Sequence, residues 1–398
     1  MEYSIYITYN CNLRCSFCYV KEKLSQKKKG ISDKKIVQIS KYIADNEKKE
    51  DWVVFFGGEP LLVPQIIDKF IKKLQQTKIL FALSTNGLLL EKVPTATLKK
   101  IAVIFISADG DKKTQERHRG KGTYDRLMRN IDTAKKETGA FFIGRITIDE
   151  QTDLYTSVIN LLKSTDGIHW QIVSTPDFKN PTKFIKTYRA DAEKLFNYWL
   201  DNFKKGRNIN IIPFQAVISS LVFNYPKNKN SFRCGVGKCT QIIDIDGKIY
   251  WCDELIGDKK ALIGSVTDKH MKNFYKTHVE LFNDCITCDV SKICRGRCRK
   301  CLEVYTPEHN RVYCELTKIL INTIEKRLDE MDIRFDSHEL TFMKMFKRFD
   351  TLERNLTKYH IRENNNRDRL DKVEMDVDDL RMSIFDYNYG DIKTKIKP

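Results

Sequence analysis

Through about residue 206 the chain alternates short apolar runs with amphipathic stretches, and this alternation limits the possible folds more than any other feature. The apolar runs predict six strands, at Tyr3–Tyr9, Trp52–Phe56, Ile79–Leu83, Ala102–Ile106, Phe141–Thr147 and Trp170–Val173. The stretches between them predict helices at about 33–48, 63–76, 123–138, 151–164 and 187–204. Such repetition is typical of a parallel sheet. Because six units are fewer than the eight of a full barrel, we predict an α/β fold with a partial (β/α)6 TIM-like barrel over 1–206.

The second half of the chain has a different character. Residues 207–230 are interpreted as a linker, and nine of the twelve cysteines then lie between Ser231 and Cys314, where periodicity fades. This predicts a cysteine-rich domain held by metal over 231–327, with a hairpin that turns at Asp246-Gly247. Residues 328–398 repeat apolar side chains every three or four positions, which predicts a helical, coiled-coil-like extension. That helix would pack on its own domain, form a dimer or bind a partner.

Composition narrows the class of protein. No window approaches ~18 consecutive apolar residues, and the first residues lack the pattern of a signal peptide, so we expect a cytoplasmic protein with no membrane span. The formal net charge of +17 favours an acidic partner such as nucleic acid, an acidic peptide or an anionic small molecule, unless it reflects only a lysine-rich surface. In a reduced compartment, clustered cysteines indicate metal rather than disulfides.

The first cysteine group lies in the loop after the first predicted strand. Cys11, Cys15 and Cys18 have the spacing C-x3-C-x2-C. Three thiolates can hold a four-iron cubane and leave one iron open for a substrate or cofactor. A structural zinc site would normally add a fourth Cys or His nearby, and the nearest histidine is His118.

This triplet, with Phe17 before its last cysteine, resembles the signature of the radical S-adenosylmethionine (radical SAM) superfamily. Other segments similar to that family follow predicted strands in order: Gly57-Gly58-Glu59-Pro60, Ser84-Thr85-Asn86-Gly87, Ser107-Ala108-Asp109-Gly110, then Arg119 and Gly122-Thr123-Tyr124. The resemblance implies a four-iron cluster on the three cysteines. It also implies SAM contacts from Phe17, Gly57, Gly58, Glu59, Ser84, Asn86, Ser107, Asp109 and Arg119.

The resemblance also implies particular roles. Glu59 would accept from the amino group of SAM, Ser107 would touch its ribose, and Arg119 would bind its carboxylate. His118 receives no role, since a lone histidine in a basic loop is more often solvated than functional. The implied chemistry is reductive cleavage of SAM to a 5′-deoxyadenosyl radical, which abstracts a hydrogen atom from the substrate.

The later cysteines resemble the SPASM extension of the same superfamily, which holds two auxiliary four-iron clusters. By that pattern the first auxiliary cluster would use Cys234, Cys239, Cys252 and Cys298, and the second Cys285, Cys288, Cys294 and Cys314. Cys301 departs from the pattern and is a spare thiol, a replacement ligand or a substrate-facing group. Asp253 resembles the base of anaerobic sulfatase-maturing enzymes. Four-cysteine zinc knuckles have similar spacings and are the alternative for this half.

Together the resemblances imply a SPASM-type radical SAM oxidoreductase with three four-iron clusters, SAM and an external electron donor of the flavodoxin or ferredoxin type. Its substrate would be a peptide or protein. The leading prediction is a thioether or carbon–carbon cross-link in a ribosomal precursor peptide, and the alternative is formylglycine formation in a sulfatase. Two further hypotheses stay open: a radical SAM enzyme that acts on nucleic acid or a small molecule, and a zinc-binding interaction protein without enzymatic activity.

Overall fold

The computed structural model describes residues 1–19, 30–47, 51–174, 178–207, 209–222, 240–268, 283–296, 298, 300 and 305–331. The predictions for Cys234, Cys239 and Cys301, and for the helical extension beyond residue 331, lie outside these residues.

Six parallel strands form the first part of the sheet, and they lie side by side in chain order. They are β1 (Glu2–Thr8), β2 (Trp52–Gly57), β3 (Leu80–Thr85), β4 (Val103–Ser107), β5 (Phe141–Ile148) and β6 (Gly167–Ile172). The predicted α/β fold with a partial barrel is confirmed. The sixth strand begins at Gly167, three residues before the predicted Trp170. The prediction missed its first residues because Gly167 and His169 interrupt the apolar run.

Helices connect and cover these strands. They are α1 (Asp33–Asn46), α2 (Pro64–Leu74), α3 (Thr95–Leu98), α4 (Lys112–Arg119), α5 (Thr123–Thr138), α6 (Leu154–Leu161) and α7 (Pro181–Lys204). Helix α4 was not predicted, because its sequence KKTQERHR contains no apolar residue and so has no amphipathic period. It begins instead at a polar cap, where the Asp111 carboxylate accepts from the Thr114 N–H at 3.0 Å.

The cysteine-rich half extends the same sheet. Strand β7 (Thr240–Ile243) pairs in parallel with β1, and β8 (Lys248–Tyr250) and β9 (Leu262–Ser265) follow in antiparallel order. The predicted hairpin is confirmed, with Gly247 at a positive φ of 77° in its turn. The described residues therefore contain one nine-stranded sheet rather than one sheet for each half.

Part of the segment predicted to be a linker is a helix, α8 (Ile212–Val222). Its side chains Phe214, Val217 and Ile218 are buried in the main core, so the linker interpretation is wrong for these residues. The error has a physical cause. A helix that is apolar on most of its circumference shows no alternation of apolar and polar faces, and such a sequence is typical of a buried helix.

The last described elements are α9 (Asn283–Ile286), α10 (Ser291–Cys294) and α11 (Pro307–Glu325). Helix α11 packs against α7 and α8, and one hydrophobic core includes buried residues of both halves, from Tyr3 to Leu316. A second, smaller cluster lies on the opposite face of strands β2 to β5. No helix in the part of the chain that the structure describes is both long and apolar enough to span a membrane.

Candidate active site

The first cysteine loop leaves the carboxyl end of β1 and is held there by the glycine pair after β2. The Gly58 N–H donates to the Thr8 carbonyl at 2.9 Å, and the Glu59 N–H donates to the Asn10 carbonyl at 2.8 Å. A Cβ on Gly58 would lie 2.3 Å from the Asn10 carbonyl oxygen. Two backbones can approach this closely only where the side chain is a hydrogen atom, so Gly58 fixes the position of the cysteine loop.

Glu59 is fully buried, and its carboxylate joins the ends of β2 and β3. It accepts hydrogen bonds from the Thr85 hydroxyl at 2.6 Å, the Asn86 N–H at 2.8 Å and the Leu61 N–H at 3.0 Å. Burial raises the pKa of Glu59 above its ordinary value, although these hydrogen bonds oppose the shift. The structure thus gives Glu59 three donors from its own chain, and its contact with SAM stays a prediction.

Asn86 carries this connection on to the cysteine loop. Its side-chain amide donates to the side-chain Oδ1 of Asn12 at 2.8 Å. Ser84, two residues earlier on β3, is partly exposed. The sequence placed both residues at the end of the third strand, and the structure places them there.

Asp109 and Arg119 form a buried ion pair at the end of β4. Arg119 donates to the carboxylate from Nε at 2.7 Å and from Nη2 at 3.1 Å, and the Thr147 N–H adds a third hydrogen bond at 2.9 Å. Burial raises the pKa of Asp109, but the charge of Arg119 and the interactions with His118 together outweigh it and hold this pKa below its ordinary value. The remaining nitrogen, Nη1, lies 3.9 Å from Cys15 Sγ, and the guanidinium lies 5.2 Å from the centre of the Phe17 ring.

His118 is buried between two carboxylates, so the prediction of a solvated loop histidine is wrong. Its Nε2 lies 3.1 Å from Asp149 Oδ2 and its Nδ1 lies 3.2 Å from Asp109 Oδ2. Burial lowers the pKa of His118, but hydrogen bonding to the two carboxylates outweighs this and raises the pKa above its ordinary value. The error follows from the unpredicted helix α4, which carries this histidine.

His118 also contacts the cysteine loop directly. Its carbonyl accepts from the Ser16 N–H at 3.0 Å, and its ring meets the Phe17 ring edge-on with 5.0 Å between centroids. Its partner Asp149 was not among the residues predicted from the sequence. An acidic residue directly after a strand was the available signal, but the same pattern also occurs in ordinary turns.

Asp253 lies where the two halves of the chain meet. Tyr19, directly after Cys18, donates its phenol hydrogen to Asp253 Oδ2 at 3.0 Å. Tyr6 of β1 donates to the Asp253 carbonyl at 3.5 Å. The structure therefore brings the predicted base to the first cysteine loop, and it does so through two tyrosines that no sequence motif had identified.

A polar network beside Asp253 connects the end of β6 to the auxiliary region, the part of the chain from Cys252 to Cys314 that carries the later cysteines. The Lys300 ammonium donates to Glu254 Oε2 at 2.6 Å, the Tyr305 hydroxyl at 2.6 Å and the Ser174 hydroxyl at 2.9 Å. Lys300 is 7% exposed, so its ion pair with Glu254 is largely shielded from water. Ser174 follows β6, Glu254 follows Asp253, and Lys300 is close in sequence to Cys298, so the network ties three parts of the site together.

The auxiliary cysteines are brought together in part. Cys252 is buried and interacts electrostatically with Cys298, and their sharing of one cluster stays a prediction. Cys288 interacts electrostatically with Lys318, one turn beyond Cys314 on α11. Cys285 lies on α9 and the buried Cys294 on α10. Cys234 and Cys239 lie outside the described residues.

The donor chemistry of the described cysteines fits iron–sulfur clusters. None of the nine forms a disulfide. Burial raises the pKa of Cys11 to about 11, and the Leu13 N–H that donates to its sulfur opposes this shift. Burial also raises the pKa of Cys15, and the charge of Arg119 opposes that shift. Among the described residues, no three His, Cys, Asp or Glu side chains form a group that would hold a single metal ion.

A partial parallel barrel with a three-cysteine loop at the carboxyl ends of its strands is suited to hold an iron–sulfur cluster at the end where barrels place their active sites. Comparison with known proteins agrees, since residues 5–157 match the model of the Radical SAM superfamily. The cysteine-type anaerobic sulfatase-maturating enzyme of Clostridium novyi (strain NT) is 26% identical over 348 residues, which cover 78% of this chain and 91% of that protein.

Two solved structures share the fold. Native anSMEcpe with bound AdoMet has a TM-score of 0.69 at 20% identity over 84% of this chain and 100% of its own, and it has also been solved with the Cp18Cys peptide. Streptococcus suis SuiB bound to the precursor peptide SuiA has a TM-score of 0.54 at 17% identity over 76% of this chain and 72% of its own. The chain thus carries a radical SAM domain and is homologous to the anaerobic sulfatase-maturating enzymes, and these matches indicate a radical SAM enzyme.

Proposed function

We propose that this enzyme oxidises a side chain of a peptide or protein, and that a cysteine oxidised to formylglycine is the first reaction to test. The observation that carries the proposal is the position of Asp253, which is held by Tyr19 at the first cysteine loop and follows Cys252. A carboxylate at this point can accept the thiol proton that a cysteine side chain loses when it is oxidised. The relatives that are sulfatase-maturating enzymes support the same reaction.

Cys11, Cys15 and Cys18 would hold the SAM-binding cluster. Phe17, Gly57, Gly58, Glu59, Ser84, Asn86, Ser107, Asp109 and Arg119 are the proposed surroundings of SAM. When bound, the cluster and SAM supply hydrogen-atom abstraction, chemistry that no side chain of the protein can perform. Gly58 and Asn86 position the loop, Arg119 lies beside Cys15, and Phe17 packs between Arg119 and His118.

The substrate cysteine must lose two electrons and two protons to become a thioaldehyde. One electron and one proton leave as the abstracted hydrogen atom. Asp253 would accept the second proton. Auxiliary clusters, which Cys234, Cys239, Cys252 and Cys298 and then Cys285, Cys288, Cys294 and Cys314 would hold, would supply the oxidant for the second electron. That electron would leave to the external carrier of the flavodoxin or ferredoxin type, which also donates the electron for SAM cleavage. Water then replaces the sulfur, which leaves as hydrogen sulfide, and the product is an aldehyde.

Cross-link formation in a precursor peptide, the leading prediction from the sequence, is the second candidate. It is supported by the fold shared with SuiB, which was solved with a precursor peptide. The two reactions differ in the product: formylglycine formation removes sulfur and creates an aldehyde, whereas a cross-link removes hydrogen only. Aldehyde capture with a hydrazide, followed by mass spectrometry of the peptide, distinguishes them.

The first experiment is iron and sulfide analysis of the anaerobically reconstituted enzyme, followed by deoxyadenosine release on addition of SAM and dithionite. Three clusters predict about twelve irons per chain. Cys15→Ala should abolish deoxyadenosine release and keep the auxiliary iron. Release that continues in this variant would contradict the proposed SAM-binding cluster.

The role of Asp253 is tested by comparing two rates. Asp253→Asn should slow aldehyde formation from a cysteine peptide much more than deoxyadenosine release, because only the former needs the base. Asp258→Asn, an exposed acidic residue nearby, is the matched control and should leave both rates unchanged. If Asp253→Asn leaves both rates unchanged, Asp253 is not the base.

A further inference from the structure

The interior of the barrel has an apolar floor. Strand side chains alternate between the two faces of a sheet, so residues two apart share a face. The face of β2 to β5 that points away from the main core carries a separate cluster of buried side chains: Trp52, Val54, Ala82, Val103 and Ile143. Apolar contacts fill most of this level, and Glu2 and Ser4 of β1 lie in register with Trp52 and Val54 at its edge.

Further toward the carboxyl ends of the strands, the same face becomes polar and open. Ser84 follows Ala82 on this face, and Ser107 and Arg145 lie beyond Val103 and Ile143. Ser107, Arg145 and His169 are neighbours in one row across β4, β5 and β6. All of them are partly exposed although they lie within the sheet, and Gln171 beyond them is exposed. The row therefore borders open space above the apolar floor.

Arg145 is the cation in this row, and its environment differs from that of Arg119. Its Nη2 donates to Gln171 Oε1 at 2.9 Å, and within the described ranges no carboxylate lies within salt-bridge distance of its guanidinium. Arg119, in contrast, uses two of its nitrogens on the buried Asp109. Of the two arginines, only Arg145 keeps nitrogens available for a bidentate contact.

Arg145 and Asp253 share one charged neighbour. Glu2 of β1 interacts electrostatically with both, although it is hydrogen-bonded to neither and instead accepts from Ser4 at 2.8 Å. Arg145 and Asp253 therefore both lie within electrostatic range of Glu2. A guanidinium in a partly enclosed space attracts an anion more strongly than one in bulk water.

We propose that Arg145 binds a carboxylate of a molecule held in the upper barrel. Planar carboxylates match the two parallel N–H groups of a guanidinium, which makes this the best-fitting anion for an arginine on a strand. Two molecules could present one: SAM, through its methionine carboxylate, and the substrate, through an acidic residue near the modified side chain. The second source rests on the proposed peptide substrate, whereas the first does not.

The SAM arm of the test needs no substrate. Dissociation constants of SAM and of decarboxylated SAM are measured on the reconstituted enzyme and on Arg145→Gln. If the carboxylate belongs to SAM, the variant should bind SAM roughly tenfold to a hundredfold more weakly, which is the range for a hydrogen bond to a charged group. Decarboxylated SAM should bind both proteins alike.

The substrate arm uses two probes on enzyme saturated with SAM, N-acetylglutamate N-methylamide and its glutamine counterpart. Binding is followed by ligand-observed NMR. If the carboxylate belongs to the substrate, the wild type should prefer the glutamate probe, Arg145→Gln should lose that preference, and SAM affinity should be unchanged. Failure of peptide oxidation would not affect this readout, so the proposed function and the role of Arg145 can fail separately.

Two further variants keep the result interpretable. Gln171→Glu places a carboxylate beside Arg145 and should reproduce the effect of Arg145→Gln without removing the arginine. Arg129→Gln removes an exposed cation of α5 and should change nothing. Iron content and melting temperature identify any variant that has misfolded. The proposal is overturned if properly folded Arg145→Gln and Gln171→Glu both bind SAM as tightly as the wild type and also bind the two probes in the same ratio as the wild type.

Discussion

Arg119 donates to Asp109 from both Nε and Nη2, and this buried pair joins the last turn of α4 to the end of β4. The same arginine reaches Cys15, and the preceding His118 holds the backbone of Ser16. The cysteine loop is thus held by α4 on one side and by the glycine pair on the other. A cluster loop fixed in this way keeps its cysteines in place before any cofactor binds.

Replacing Asp109 should destabilise the protein strongly. Asp109→Asn leaves the guanidinium of Arg119 buried without its counter-charge, and removal of one partner of a buried pair costs about 3–5 kcal/mol. We expect a clear drop in melting temperature under anaerobic conditions. Asp125→Asn is the matched control, because Asp125 pairs with Lys112 at the surface and its loss should change stability little. Equal melting temperatures for the two variants would contradict the structural role of the Asp109–Arg119 pair.

A substitution at Gly58 tests the other side of the loop. The Cβ of Gly58→Ala would lie 2.3 Å from the Asn10 carbonyl oxygen, so the backbone of the cysteine loop must move. We expect iron content to fall by about four per chain, the content of one cluster, with deoxyadenosine release falling in parallel. Gly30→Ala has nothing within 4 Å of its new Cβ and should keep full iron content. Full iron content in Gly58→Ala would show that the loop tolerates the shift.

The sequence predicted the parts of this molecule that have local signals. Apolar runs located the six parallel strands because buried parallel strands need such runs, and the turn residues Asp246-Gly247 located the hairpin. Helix α4 has no local signal of this kind. It is held by Asp111 at its start and by Asp109 and Asp149 near its end. Of these contacts, the one with Asp149 forms only after β4 and β5 have been brought side by side.

The candidate site divides in the same way. The positions of the cysteine, glycine and polar motifs at strand ends could be predicted, since each motif follows a strand that its apolar run identifies. The pairing of Tyr19 with Asp253, across 234 residues of sequence, was not, because a tyrosine gives no sign of its partner. Arg145 was missed for a different reason. It interrupts an otherwise apolar strand, and only the register of β5 with β4 places it beside Ser107.

The network around Lys300 should matter for the alignment of the auxiliary region. Lys300→Met removes the ammonium that joins Glu254, Tyr305 and Ser174, and it leaves a largely buried carboxylate unpaired at a cost of about 3 kcal/mol. We expect a lower melting temperature and partial loss of auxiliary iron, with deoxyadenosine release per SAM-binding cluster unchanged. Lys292→Met, at an exposed position on α10, is the matched control. Unchanged stability and iron content would mean that the network contributes nothing to this region.

His118 predicts a specific pH dependence of stability. Its pKa is raised in the folded protein, so between the ordinary value of about 6.5 and the folded value the native state binds more protons than the unfolded state. Stability contributed by the charged imidazole is therefore complete below about pH 6.5 and is lost as the pH rises through the folded pKa. His118→Asn removes the titrating group. The difference in melting temperature between the wild type and this variant should be largest on the acidic side and should shrink as the pH increases. A difference that stays constant with pH would show that the pKa of His118 does not change on folding.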